Sequence, residues 1–267
     1  MSLSKNKIKL YRCLRHSKGC REAGLFLVEG PLLVQEALRE GWDLVEVLLT
    51  QEYARNRDGR KIVRLLDVSE TPYTYGSVSD LGRISDAETS QGIIGIAKLP
   101  EEQGSIPQPL PDDVILVLER VSDPGNLGTI LRTADWFGIR HVILGSGSVD
   151  PFNPKVVRGT AGSIFRVKIE VAEDPGLFLE KEEGRRFYAA VLRGELLPHD
   201  LPTQGHRGLI LGHEKLGVSA ELINRCAGSV LIPGYGAAES LNLAVAAGIL
   251  MYTITRKDLS STVRSPG

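Results

Sequence analysis

Short apolar runs alternate along this chain with stretches of period near 3.6, which sets short strands between amphipathic helices. Lys5 to Cys20 carries Ile8, Leu10, Tyr11 and Leu14 as a partial apolar stripe and predicts a helix. Leu25 to Val28 predicts a strand. Pro31 to Glu40 predicts a helix through Leu32, Leu33, Val34, Ala37 and Leu38, with Pro31 in its first turn and Gly41 as its stop. Val45 to Leu49 and Gly92 to Lys98 predict further strands. This part reads as a small α/β domain without a residue set suited to catalysis, and hence as a binding module.

From residue 113 onward, short apolar runs alternate with helical periodicity, as a parallel α/β sheet requires. Val114 to Leu118, His141 to Leu144, Tyr188 to Leu192, Gly208 to Leu211 and Ser229 to Ile232 predict strands. Asn126 to Phe137, Pro154 to Gly159 and Ser240 to Thr255 predict the main helices. The last of these bears Leu241, Leu243, Val245, Ile249 and Leu250 and several alanines around much of its circumference, so it must be buried in the core or against a partner. Residues 101–112 hold three prolines, a glycine and no periodicity, and read as a linker between domains 1–100 and 113–267.

The bulk composition, 42% hydrophobic and 24% charged over 267 residues, is that of an ordinary folded protein. The formal net charge of −1 carries no information about nucleic acid, but its distribution does. Residues 1–21 hold Lys5, Lys7, Lys9, Arg12, Arg15, Lys18 and Arg21 and no acidic residue. Such an arm suits phosphate contact, and equally suits a solvated terminus. Cys13, Cys20 and Cys226 are odd in number and lack paired ligand spacing. They speak against a disulfide framework and a structural zinc site, and fit a reducing, cytoplasmic setting. The most apolar run, Leu241 to Ile254, is too short to span a membrane, and the N-terminus lacks the apolar core of a secretion signal.

Three predicted strands run directly into glycine-bearing loops: Asp123-Pro-Gly-Asn-Leu-Gly128, Gly212-His-Glu-Lys-Leu-Gly217 and Pro233-Gly-Tyr-Gly236. In open α/β sheets ligands sit at the carboxyl ends of strands, and glycine lets the backbone approach them closely. Several other chemistries are excluded. No Gly-x-Gly-x-x-Gly follows the first strand, and neither a nucleotide phosphate-binding loop nor a nucleophile elbow is present. His213-Glu214 opens like a zinc-protease motif, but Gly217 stands where the second histidine would be.

Residues Val114-Ile-Leu-Val-Leu-Glu-Arg-Val-Ser-Asp-Pro-Gly-Asn-Leu-Gly-Thr-Ile-Leu-Arg-Thr-Ala-Asp-Trp-Phe-Gly138 resemble the first motif of the SpoU (TrmH-type) RNA ribose methyltransferases. Leu211-Gly-His-Glu-Lys-Leu-Gly-Val-Ser219 resembles the second, and Ile232-Pro-Gly-Tyr-Gly-Ala-Ala-Glu-Ser-Leu-Asn-Leu-Ala-Val-Ala-Ala-Gly248 the third. Gly159-Thr-Ala-Gly-Ser-Ile-Phe-Arg166 is similar to the small-residue helix which that family sets between its first and second motifs. The N-terminal part, through Phe26 to Ala37 and Gln91 to Gly95, resembles the RNA substrate-binding domain often fused in front, itself similar to a small ribosomal protein. Two departures stand beside the expected pocket. Lys215 follows the glutamate where glycine is common, and Gly234-Tyr235 follows the proline where a methionine is common.

The resemblance implies a parallel-sheet SPOUT (alpha/beta knot) domain with a deep C-terminal trefoil knot, dimerising through its last helix. It implies S-adenosylmethionine as cofactor and a ribose 2′-hydroxyl of RNA, ribosomal in preference to transfer RNA, as the methyl acceptor. A non-catalytic RNA-binding or ribosome-assembly protein of the same fold is the alternative. Gly212, Ile232 and Leu241 are then the main cofactor contacts, with Gly236 beside them and Leu192 and Leu211 as pocket walls. Core packing is the other reading of Ile232 and Leu241. Arg132, Asn126, Glu214, Ser240 and Asn242 carry over as the catalytic set. The guanidinium pKa, above about 12, makes Arg132 a poor base, so orienting a phosphate and stabilising alkoxide charge is the favoured role over proton abstraction. Asn126 orients the ribose or the arginine, or caps its helix. Glu214 holds a basic partner, or is a surface carboxylate. Ser240 caps the last helix while Asn242 faces the site.

Overall fold

The computed structural model describes residues 2–100 and 113–256, so the linker expected over 101–112 lies outside the described residues. The chain divides into two units, one drawn from Met1–Ser105, Leu127–Arg132 and Val149–Arg166, the other from Ile106–Asn126, Thr133–Ser148 and Val167–Gly267.

The helix expected over Lys5 to Cys20 is two helices, α1 (Lys5–Cys13) and α2 (Ser17–Ala23). The break falls where His16 turns extended and Arg15 donates its guanidinium to the carbonyls of Gly82, Ile84 and Ser85. Strand β1 (Leu25–Glu29) passes through Gly30, at φ +100°, into α3 (Pro31–Arg39). Strand β2 (Leu44–Thr50) follows, and the Thr50 hydroxyl caps α4 (Gln51–Arg55). Asn56 caps α5 (Arg57–Val68), accepting from Gly59 N at 2.7 Å. Then come β3 (Tyr73–Gly76), α6 (Val78–Ile84), closed by a Ser77–Asp80 capping box, and β4 (Ile93–Lys98). The sheet order is β1-β4-β2-β3, antiparallel except for the β2–β3 pair. Phe26, Leu48, Leu66, Ile94 and Ile96 are wholly buried around it.

Beyond residue 112, strand β5 (Val114–Leu118) leads to α7 (Pro124–Trp136) and β6 (His141–Gly145). Helix α8 (Pro154–Gly159) and β7 (Lys168–Ala172) follow, then α9 (Pro175–Lys181) and β8 (Arg186–Ala190). The chain ends in β9 (Arg207–Leu211), α10 (Ala220–Asn224), β10 (Gly228–Val230) and α11 (Leu243–Thr255). Six strands lie in the order β10-β8-β9-β5-β6-β7 and every neighbouring pair is parallel, as expected of the fold class. Ile115, Val117, Ile143, Phe187, Ala189 and Ile210 form its core with Leu179 of α9 and Leu222 of α10.

Three of the boundaries that differ from expectation bear on the site. The strand expected over Tyr188 to Leu192 ends at Ala190, which leaves Leu192 in the following loop. The strand expected to reach Ile232 ends at Val230. Helix α11 starts at Leu243, three residues after Ser240.

Strand order also locates the functional crevice. From β5 the chain moves to β6 on one side, and from β9 it moves to β10 on the other. Between the carboxyl ends of β5 and β9 the connections part, and such a switch point leaves an opening for a ligand.

Candidate active site at the carboxyl ends of β5 and β9

Two carboxylates tie the loops after β5 and β9 together. The Glu119 side chain is buried at the end of β5, and its Oε2 accepts from Ser219 N at 2.8 Å. Glu214 reaches back the other way. Its Oε1 accepts from Asp123 N at 3.0 Å and from Asn126 Nδ2 at 3.2 Å, and its Oε2 accepts from Ser122 Oγ at 3.1 Å and Ser122 N at 3.4 Å. Burial raises the pKa of this carboxyl, but donors outweigh it: its own amide, Asp123 N–H, the Asn126 side chain and Ser122 N–H bring it from 4.5 down to about 2. Glu214 is therefore an ionised clamp on the β5–α7 turn. It is not a bare surface carboxylate, and among the described residues no Lys or Arg side chain pairs with it. His213 Nδ1, 3.9 Å away, itself accepts from the amides of Lys215 and Leu216.

Asn126 does not cap α7. Asp123 does, its Oδ1 accepting from Asn126 N at 2.8 Å, with Pro124 in the first turn. The Asn126 amide is thereby released for the crevice. Asn242 joins it from the far end of the domain sequence, donating from Nδ2 to Asn126 Oδ1 at 3.0 Å. Asn242 also caps α11, accepting at Oδ1 from Ala244 N and Val245 N. This corrects the assignment of that cap to Ser240, which lies exposed in the preceding loop. Arg132 lies six residues along from Asn126 on α7, and its side chain is exposed.

Of the residues expected to hold a cofactor, Leu211 and Gly212 are buried at the end of β9. A Cβ on Gly212 would stand 2.1–2.3 Å from the Gly217 and Val218 backbone, so glycine is needed there by the loop itself. Leu192, 74% exposed, and Leu241, 47% exposed, present apolar surface in loops, so Leu241 is not packed in the core. Ile232 is half-buried, and Gly234 and Gly236 have open space where a side chain would stand. Lys215 is not among the left-handed residues, so its departure from glycine costs no backbone strain. Glu119 and Ser122 were not singled out in the sequence; the one signal beside them was the Asp123-Pro124 pair of the first glycine-bearing loop, which opens a strand-to-helix turn.

Residues 113–252 match the model of the SpoU rRNA Methylase family. The chain belongs to that family. Its N-terminal part, residues 5–95, matches the MRM3-like substrate binding domain. Among SpoU relatives it is 33% identical over 94% of its length, and 96% of theirs, to the 23S rRNA (guanosine(2553)-2'-O)-methyltransferase RlmP of Bacillus subtilis. An AdoMet-bound rRNA methyltransferase from Sinorhizobium meliloti superposes with a TM-score of 0.82 at 28% identity, covering 95% of both chains. The SpoU methyltransferase AviRb from Streptomyces viridochromogenes shares the fold at a TM-score of 0.87 and 23% identity, covering 97% of this chain and 100% of that one.

Proposed function

We propose that this SpoU methylase transfers the methyl group of S-adenosylmethionine to a ribose 2′-hydroxyl in ribosomal RNA. The observation that carries the reading is the Glu214–Asn126–Asn242 chain, which brings residues from all three motifs together at the switch point of the parallel sheet. The rRNA methyltransferases of B. subtilis and S. meliloti, similar over nearly the whole chain, support ribosomal over transfer RNA.

The residues present fit the cofactor. Exposed Leu192 and Leu241 offer apolar walls for an adenosine, and the irregular stretch 232–241, which includes Ile232 and Gly236, offers backbone groups. This reading expects them beside the glycine loop that opens at Gly212 in the bound complex. When bound, the cofactor supplies a methyl group on a sulfonium. The protein's task is alignment, which is worth roughly 7–11 kcal/mol in well-oriented reactions. Asn126, held on both sides of its amide, orients the ribose. Arg132 grips the neighbouring phosphate with its planar fork and stabilises charge growing on the 2′-oxygen as its proton passes to water. The new C–O bond forms as the methyl–sulfur bond breaks to leave a neutral thioether. Ser240, beside Asn242 in the open loop, completes the polar set.

We assign RNA recognition to residues 1–100, methyl transfer to 113–267 and the linking role to 101–112. No described helix is long and apolar enough to cross a membrane. A cytoplasmic protein, knotted at its C-terminus and paired with a second copy through α11, accords with this reading.

The test is methyl transfer from labelled S-adenosylmethionine to a 23S rRNA transcript, followed by nuclease digestion. A labelled 2′-O-methyl nucleoside is the expected product. Absence of both transfer and cofactor binding in the presence of RNA overturns the reading.

A further inference from the structure

We infer that helix α5 presents an RNA-phosphate surface built from Arg57, Arg60 and Arg64. The identity of the partner rests on the ribosomal-RNA reading above; the location does not.

Helix α5 turns Gly59, Ile62 and Leu66 inward, and all are buried. At 3.6 residues per turn, Arg57, Lys61 and Arg64 fall on the opposite side with Arg60 flanking them, and each is exposed. From Arg57 to Arg64 the helix rises about 10 Å, so the cations form a row and not a knot. Arg55, exposed at the end of α4, leads into it.

Nothing in the helix itself favours this row. Cations three and four residues apart repel, and here they crowd toward the amino end, where the helix dipole disfavours them, while the last turn has no basic residue. Several cations elsewhere are matched: Lys7 to Glu46, Arg21 to Asp150, Arg158 to Glu29 and Asp86. In the basic arm at residues 1–21, Lys7 and Arg21 are engaged in this way and Arg15 on backbone carbonyls, while Lys5, Lys9 and Arg12 are exposed. On α5, Lys61 has Asp58 at 3.1 Å on its own helix. Among the described residues, no carboxylate pairs with Arg57, Arg60 or Arg64. A row of unmatched forks in a chain of net charge −1 is suited to a partner with regularly repeated anions, each accepting two hydrogen bonds. A phosphodiester strand is such a partner.

The experiment compares wild type with Arg57→Gln/Arg60→Gln/Arg64→Gln in binding and methylation of a 23S rRNA transcript across a salt series. The expected result is a KM for RNA raised at least tenfold, with kcat and S-adenosylmethionine affinity unchanged. The slope of log affinity against log salt should flatten by about two, at about 0.7 per lost single-strand phosphate contact. The corresponding triple lysine variant should keep most of that slope. An unchanged KM and slope in a glutamine variant with wild-type circular dichroism overturns the inference, as does a parallel loss of cofactor affinity. So does loss of binding to polyglutamate with RNA binding intact, which points to an acidic protein. If the triple variant does not fold, Arg64→Gln alone must shift the slope by about 0.7, and no shift overturns the inference. Wild type that fails to bind the transcript removes the RNA reading as well; wild type that methylates it, beside an unaffected variant, removes only the α5 surface.

Discussion

Asn242 donates from Nδ2 to Oδ1 of Asn126 at 3.0 Å, across a sequence separation of 116 residues. With Asn126 Nδ2 committed to Glu214 at 3.2 Å, the orientation of the Asn126 amide is determined by its two partners. Its second amide hydrogen remains for a substrate. Three motifs that are far apart in the chain thus act as one polar unit, and disturbing either end is felt at the residue between them.

Glu214→Gln is the sharpest test of the clamp. The folded-state pKa is lowered to about 2, so the charged form stabilises the native loop at every pH above the ordinary value of 4.5. That contribution is lost as pH falls from about 4.5 through about 2. Thermal unfolding followed from pH 6 to pH 2 (about the accessible range) should therefore fall less steeply for the glutamine variant, with lower stability at neutral pH. Parallel curves for the two proteins would show that the carboxylate is not coupled to folding.

Much of this was legible in the sequence, for physical reasons that also explain the gaps. Strands β5, β6 and β9 are continuous apolar runs because both faces of the sheet are covered, so their positions emerge from composition alone. Strand β7, Lys-Ile-Glu-Val-Ala, is a half-exposed edge with no such run, and it escaped notice. Helix α5 was missed because four of its residues are the cations that face solvent, leaving Ile62 and Leu66 as a thin stripe. Caps were the weakest point. Ser240, Asn242, Asp123 and Asn126 are all plausible caps by residue type, and only the three-dimensional course of the loops decides which amides they meet. Glu119 illustrates the same limit, since its partner Ser219 is 100 residues away.

Arg132→Ala should lower kcat by about 10²–10³, the usual cost of removing one preorganised charge stabiliser, with S-adenosylmethionine affinity unchanged. Arg132→Lys separates the two chemical roles. If the residue takes the proton, a lysine with a pKa near about 10.4 would make the rate climb with pH toward that value. If it orients and stabilises, the lysine variant should be slower at all pH values without a new inflection. Wild-type turnover in both variants would remove the residue from the reaction.

Packing supplies a stability prediction independent of catalysis. Gly128 on α7 meets α8 so closely that a Cβ would lie 2.9 Å from Gly159 Cα and from Val156 O. Both obstacles are backbone, so relief requires the helices to move. Gly128→Ala should cost about 1–3 kcal/mol in urea unfolding, and Gly128→Val more. An alanine variant as stable as wild type would mean that this crossing yields freely.

The outer face of α11 makes the last prediction. Ala247, Leu250, Met251 and Ile254 are buried, yet Val245 is 51% exposed and Tyr252 59% exposed on a helix with no charged residue. Trp136, at the end of α7, is also exposed, and Phe137 packs on Tyr252 with ring centroids 6.0 Å apart. A helix apolar on nearly every side is at odds with water, and a second copy of the same surface satisfies it symmetrically. Val245→Glu with Tyr252→Glu should then shift the protein from two-chain to one-chain mass in sedimentation velocity. Because the α11 cap at Asn242 belongs to the active-site chain, methyl transfer should fall with dimer content as protein is diluted. A wild type of one-chain mass at all concentrations, fully active, would sink the pairing while leaving the chemistry of the crevice untouched.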